Sequence, residues 1–255
     1  LAAANLVQLS ATITDKDGDS ATASVNLGSA ISFKDDGPSI SATAAGNDSL
    51  QVDETVLATN ATTNFAGLFS GSYGADGAGT TTYSLNVSAA GVDSGLDDSA
   101  TGSNILLFNE AGVVVGRVGN AAGAVSFTVS VKASGQVTLD QQRAIIHTPN
   151  SGADQESSLA AANLVQLSAT ITDKDGDTAT ASVNLGSAIS FRDDGPSISS
   201  NAVAADSLQV DESNLSGNAS ISFAGAFTSS YGADGAGNIV YSLNVSAAGA
   251  DSGLD

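Results

Sequence analysis

The sequence predicts an all-β protein. Three observations carry that expectation: short runs that alternate apolar and polar residues, Gly- and Asp-rich turns between them, and an internal repeat that duplicates both. Many short strands joined by polar turns form the pattern of a β-sandwich or barrel.

The elements follow in order. Leu9-Ser-Ala-Thr-Ile-Thr14, Ala21-Thr-Ala-Ser-Val-Asn-Leu27, Tyr83-Ser-Leu-Asn-Val87 and Val125-Ser-Phe-Thr-Val-Ser-Val131 alternate with period two, so each turns one face to a core. Ile105-Leu-Leu-Phe108 and Val113-Val-Val115, parted by Asn109-Glu-Ala-Gly112, predict a hairpin. Arg143-Ala-Ile-Ile-His147 predicts a further strand, and the Ala-rich stretch Ser158–Leu164 is the best helix candidate.

Leu1–Asp97 recurs as Leu159–Asp255 at an offset of 158, without a gap and with 21 differences in 97 positions. The differences gather in Ala42–Asn47 and Thr55–Asn64, which predicts surface loops or strand edges there. A period this long is unlike a solenoid coil and suits domains strung in line. Both ends fall in mid-pattern and neither an initiator Met nor a signal peptide is present, so the chain is expected to be part of something longer. One division takes 1–97 and 159–255 as matched units with 98–158 as a smaller module between them.

Composition narrows the function. The chain carries 27 acidic and 7 basic residues, a net charge of −20. Seven dispersed cations make no phosphate-binding patch, so nucleic acid and anionic membrane surfaces are unfavourable partners. No apolar run approaches the roughly 18 residues of a membrane span, so no direct membrane insertion is expected. Zero Cys excludes disulfides, and a single His nearly excludes a His-based zinc site or a nucleophilic triad, while a paired-carboxylate hydrolase stays open although nothing marks an apolar cleft between the acids. The acids are 23 Asp and 4 Glu, a bias toward turns and toward hard oxygen ligation of calcium.

Three acidic motifs are candidate metal ligands, each present twice. Asp15, Asp17 and Asp19 recur as Asp173, Asp175 and Asp177, alternate carboxylates across a Gly turn between two strands. The spacing is not that of an EF-hand, since Gly holds the fourth position and Asn26 the twelfth. Three like charges in five residues repel unless a cation offsets them; a solvated hairpin turn is the plainer reading. Asp35 and Asp36 recur as Asp193 and Asp194 in Asp-Asp-Gly-Pro, where a shared cation would lock a junction between domains and a plain linker turn is the alternative. Asp53 and Glu54 recur as Asp211 and Glu212, and either complete the junction site from the next domain or end a strand as exposed acids. Asp76 with Asp234, and Asp93 with Asp97, read most simply as polar turns, and His147 reads as structural.

Several runs together resemble a known family: Val137-Thr-Leu-Asp-Gln-Gln-Arg-Ala-Ile-Ile-His147, Leu167–Asp177, Ser190-Phe-Arg-Asp-Asp-Gly-Pro196, and Ser94-Gly-Leu96 followed by Thr101-Gly102. They are similar to the tandem extender repeat of the giant RTX adhesins, biofilm-associated surface proteins that Gram-negative bacteria export by type I secretion. The resemblance spans essentially the whole chain, although the Gly-rich nonapeptides of the RTX β-roll are absent. It implies tandem immunoglobulin-like antiparallel β-sandwich domains joined end to end, with calcium at the linkers. It also sets a repeat frame: 1–37 as the end of one repeat, 38–195 as a complete one, 196–255 as the start of the next. The implied function is an extracellular, non-enzymatic spacer that projects a distal adhesive domain, with neighbouring repeats as its partners. A calcium-dependent glycan-binding module and a laterally self-associating fibre protein are the competing readings.

Overall fold

The computed structural model describes residues 5–148, 152 and 154–253. Residues 1–4 of the expected segment 1–37, residues 149–151 and 153 within 38–195, and residues 254–255 of 196–255 lie outside the described residues.

The fold is all-β. In chain order the strands are β1 (Gln8–Thr14), β2 (Ser20–Asn26), β3 (Ser39–Ala42), β4 (Leu50–Asp53), β5 (Ala61–Asn64), β6 (Phe69–Ser72), β7 (Ala78–Val87), β8 (Val92–Asp97) and β9 (Asn104–Glu110). They continue as β10 (Val113–Val118), β11 (Val125–Val131), β12 (Gln136–Gln141), β13 (Glu156–Ser158), β14 (Val165–Asp173), β15 (Thr178–Asn184), β16 (Ile189–Arg192), β17 (Ser197–Ser200) and β18 (Phe227–Ser230). The largest sheet runs β5-β12-β11-β10-β9-β8, and two three-stranded sheets run β15-β14-β7 and β13-β16-β4. β3 pairs with β6, and the hairpins β1–β2 and β17–β18 stand as two-stranded sheets. Among the described residues all ladders are antiparallel except β4 with β16.

Among the described residues the fully buried hydrophobic cluster runs from Leu50 to Phe191. Ile105, Leu107, Val114, Phe127, Val129, Val137 and Leu139 of the six-stranded sheet meet Leu50, Val52, Leu85, Val165, Leu167, Val183, Ile189 and Phe191 of the smaller sheets. Phe127 and Phe191 meet with ring centroids 5.0 Å apart. Alternation explains this segregation. Along β14, Val165, Leu167, Ala169 and Ile171 point inward, while Gln166, Ser168, Thr170 and Thr172 point out. The expected hairpin forms as β9–β10, and its turn sets Ala111 (φ 51°) and Gly112 (φ 88°) in the left-handed region, the twist that a two-residue hairpin loop needs. The variable stretch Thr55–Asn64 ends in β5, an edge strand of the large sheet.

Two expectations fail locally. Ser158–Leu164 is not a helix: Ser158 ends β13, and only Ala162–Leu164 makes one 3-10 turn. The segment is too short to pass nucleation, and Leu159 and Leu164 are drawn into the core. Arg143–His147 is not a strand either. Its backbone makes one isolated bridge, Asp98 with Ile145, and the Ile145 N–H is taken by the Glu54 carboxylate at 3.0 Å.

Asp98 anchors this irregular stretch. Its buried carboxylate accepts from Arg143 Nε at 2.6 Å and Nη2 at 3.0 Å, and from Thr101 Oγ1 at 2.8 Å. The guanidinium holds the Asp98 carboxyl below its ordinary range. A depressed folded-state value stabilises above the unfolded value of about 3.9 and ceases to do so as pH falls through the folded value. Asp98→Asn is therefore expected to lower the melting temperature at neutral pH and to flatten the loss of stability below about pH 4. Melting curves from pH 2 to 7 check this; an unchanged acid limb in the variant refutes it.

Candidate metal centre at the repeat junctions

The site is built by pairings remote in sequence. Parallel pairing of β4 with β16 aligns Asp53 with Arg192, so the next residues, Glu54 and Asp193, emerge side by side. Glu54 thus groups with Asp193, Asp194 and Asp234, and a second grouping joins Glu54 and Asp193 to His147. The ligand atoms within each of these groups lie within 4.8 Å of one another. Glu54 Oε1 accepts from Gln141 Nε2 at 2.6 Å and from the Ile145 N–H, and lies 3.3 Å from His147 Nε2. Glu54 Oε2, Asp193 Oδ1 and His147 Nδ1 are buried with no hydrogen-bond partner. A cavity of about 430 Å³ opens here, lined by His147, Asp193, Asp194, Pro196, Tyr231 and Asp234.

The electrostatics match an uncompensated anionic site. Burial pushes the Asp193 carboxyl up, with Asp234 and Asp194 adding to the rise and His147 opposing it. Burial lowers His147, but Glu54, Asp193 and Asp234 outweigh it and hold the imidazole above its ordinary value.

A second acidic cluster forms at Asp35 and Asp36, the residues that match Asp193 and Asp194 at the offset of 158. Asp35 groups with Asp36 and Asp76, and also with Asp175 and Asp177 of the β14–β15 turn. Asp173 Oδ1 accepts the Gly176 and Asp177 N–H groups at 3.0 and 2.8 Å, which closes the turn. Its Oδ2 is buried without a partner, as is Asp76 Oδ2. Close approach of Asp173 pushes Asp175 up to about 6. Burial raises Asp76, and Asp35, Asp36 and Asp173 raise it further.

A repeated clamp joins linker and turn. The Asp36 carboxylate accepts the Ala75 N–H at 3.2 and 3.0 Å, and Asp194 accepts the Ala233 N–H at 3.0 and 3.2 Å. Gly74 serves this contact twice over: its φ of 77° is left-handed, and a Cβ there would stand 2.6 Å from Asp36 Oδ2.

The remaining candidates differ. Asp15, Asp17 and Asp19 group together on the exposed β1–β2 turn, where Asp15 accepts the Gly18 and Asp19 N–H groups at 3.2 and 2.9 Å. Asp53 and Asp211 cap short 3-10 turns, accepting Thr55 N at 2.9 Å and Ser213 N at 2.8 Å. Glu212 is exposed. Asp76, Asp234 and His147 join the clusters although the sequence marks them as turn and structural residues. For Asp76 and Asp234 the available signal was that Tyr73–Gly79 recurs unchanged at Tyr231–Gly237 while the next three residues all differ; His147 lies in the segment present once, where the repeat marks nothing. Asp93 accepts from Gly95 N and Asn104 Nδ2, but it and Asp97 lie within β8, where the ladder to β9 shifts register between them, and not in the polar turn expected.

A family model described as a domain of unknown function (DUF5801) matches residues 49–186 and 207–255. No curated protein and no solved structure matches the chain.

Proposed function

The chain belongs to the DUF5801 family, and from the chemistry of its junctions we propose that it is a calcium-stabilised extender of a bacterial cell-surface adhesin. In this reading tandem immunoglobulin-like β-sandwich repeats, secreted by the type I route and extracellular, hold a distal adhesive domain away from the cell for adhesion and biofilm formation. They perform no catalysis, and their partners are the neighbouring repeats.

The observation that carries the reading is a set of buried carboxylate oxygens without hydrogen-bond partners at both ends of one repeat. Glu54 Oε2 and Asp193 Oδ1 lie at one end, Asp76 Oδ2 and Asp173 Oδ2 at the other. Unpaired buried acceptors cost free energy, and unpaired buried charges cost more, unless a cation meets them. Carboxylates in this number suit calcium, which takes six to eight oxygen ligands. Asp35, Asp36, Asp76, Asp173, Asp175 and Asp177 would hold ions at the leading junction, and Glu54, Asp193, Asp194 and Asp234 at the following one. His147 would serve beside them by donating to Glu54. Bound calcium supplies charge neutralisation and ties linker to repeat. Without it the carboxylates repel, which suits passage through a calcium-poor cytoplasm and folding outside.

The chain's scattering profile in millimolar calcium and in excess chelator tests the reading. A rigid rod that becomes shorter or flexible on chelation is expected. Identical profiles would reduce the acidic turns to solvated loops and remove the calcium lock. Among the described residues no helix is long and apolar enough to cross a membrane.

A further inference from the structure

The chain holds one interface formed and both halves of the same interface open. In the formed case β14 pairs with β7 from Val165↔Val87 to Thr172↔Thr80. The β14–β15 hairpin also packs on the β3–β6 pair, where a Cβ at Gly71 would stand 3.0 Å from Ile171 Cδ1. This contact and the facing six-stranded sheet together bury Val165, Leu167, Ala169, Ile171 and Val183 of the hairpin and Leu85 of β7.

The open donor is β1–β2. Leu6–Asp36 differs from Leu164–Asp194 only by Ser20 for Thr178 and Lys34 for Arg192. The hairpin is already formed: Ser10 meets Ser24 and Thr12 meets Thr22 at 2.7 Å each, as Ser168 meets Ser182 and Thr170 meets Thr180 in β14–β15. Yet Leu9, Ile13 and Val25, the equivalents of buried Leu167, Ile171 and Val183, face solvent.

The open acceptor is segment 196–253. It presents an apolar groove of about 610 Å³ lined by Ile198, Phe223, Phe227, Ile239, Tyr241 and Leu243. These are the equivalents of Ile40, Phe65, Phe69, Thr81, Tyr83 and Leu85 around the seat of the β14–β15 hairpin. Tyr241–Val245 is identical to Tyr83–Val87, but segment 236–245 has no strand partner and Leu243 is fully exposed. The parallel sheet is open in the same way: exposed Phe33 and Val210 correspond to the paired Phe191 and Val52.

We infer that copies of this chain associate head to tail, the β1–β2 hairpin of one copy docking on segment 236–245 of the next. The register is that of β14 on β7: Val7 to Val245, Leu9 to Leu243, Ser10 to Ser242, Ala11 to Tyr241 and Ile13 to Ile239. The occupant is a second copy because the chain itself carries the plug of the formed interface and a groove that keeps Tyr241–Val245, and leaves both exposed; Ser229 stands where Gly71 does, so Ile13 must shift by a few tenths of an ångström to seat. Addition of a strand to an unpaired edge supplies backbone hydrogen bonds, and alternate side chains enforce the register. Such a contact uses two different surfaces, so it propagates into open chains rather than closing at two. Docking also brings Asp15, Asp17 and Asp19 to Asp193, Asp194 and Asp234, as Asp173, Asp175 and Asp177 stand near Asp35, Asp36 and Asp76. The partner copy thus contributes residues to the junction cluster; that last step alone rests on the calcium reading.

The test is sedimentation of the full chain from low micromolar to several hundred micromolar, in chelator and in calcium. Mass rising with concentration past two copies is expected, with calcium shifting association to lower concentration. A mass fixed at 24.9 kDa in both conditions overturns the inference and leaves the calcium reading standing. Association that ignores calcium supports the docking and counts against the calcium reading. Because the chain has no Cys, Ser10→Cys with Ser242→Cys should give covalent ladders on oxidation, and Ser10→Cys with Leu243→Cys, one residue out of register, should not. Cross-linking only within single chains would overturn the second copy as occupant. Leu243→Asp should abolish association without changing the melt of the central unit; association that survives it also overturns the docking.

Discussion

Saturating calcium is expected to raise the melting temperature of the chain by about 5–10 °C for each site that fills, relative to excess chelator. Extracellular calcium modules bind with constants on the order of 10⁻⁴–10⁻³ M, so a hundredfold excess over the tighter value adds about 2.7 kcal/mol per site. For a domain of about 150 residues each kcal/mol moves the midpoint by roughly 2–4 °C. The Glu54→Gln variant separates ligation from packing. Its amide oxygen still accepts from Gln141 and the Ile145 N–H, the contacts that Glu54 Oε1 now makes. In chelator the variant should lose little, because one of four clustered like charges is gone. In calcium it should lose most of the increment from the following junction. A Glu54 that served packing alone would cost the same in both conditions, and a melt that calcium leaves unchanged would remove the extender's proposed lock.

Much of the fold was legible because strand chemistry is local. The alternation that marks Leu167–Thr172 yields the strictly alternating burial of β14, and Asn109-Glu-Ala-Gly112 yields the β9–β10 turn. Sheet partners were not legible, since period two says which residues share a face and nothing about what covers it. The acidic turns could be read one by one from charge density. Their grouping could not: Glu54 meets Asp193 through a parallel ladder that spans most of the repeat, and Asp76 meets Asp36 through a backbone clamp on Ala75. The same limit misplaced Arg143–His147, whose apolar run looks like a strand while the Ile145 N–H binds a side chain from far upstream.

Phe191→Ala is expected to cost about 3–5 kcal/mol, and Phe33→Ala at a concentration that keeps the chain monomeric less than about 0.5 kcal/mol. The two phenylalanines sit in nearly identical sequence, Ile189-Ser-Phe-Arg-Asp-Asp194 and Ile31-Ser-Phe-Lys-Asp-Asp36. Propensity, pattern and neighbours predict the same fate for both. Phe191 is nevertheless fully buried against Phe127, and Phe33 is 84% exposed. Truncating Phe191 removes a ring from a packed interior that relaxes only partly, so a cavity term adds to the lost transfer energy. For a unit of about 150 residues the melting temperature should fall by roughly 6–20 °C, while Phe33→Ala should leave it in place. Raising the protein concentration then adds a second axis. If Phe33 enters a neighbouring copy's open sheet beside Val210, its truncation should become costly only where the chain associates. Equal losses for the two variants at every concentration would mean that the leading segment is packed in the monomer, and both the exposed donor hairpin and the head-to-tail docking would fall together.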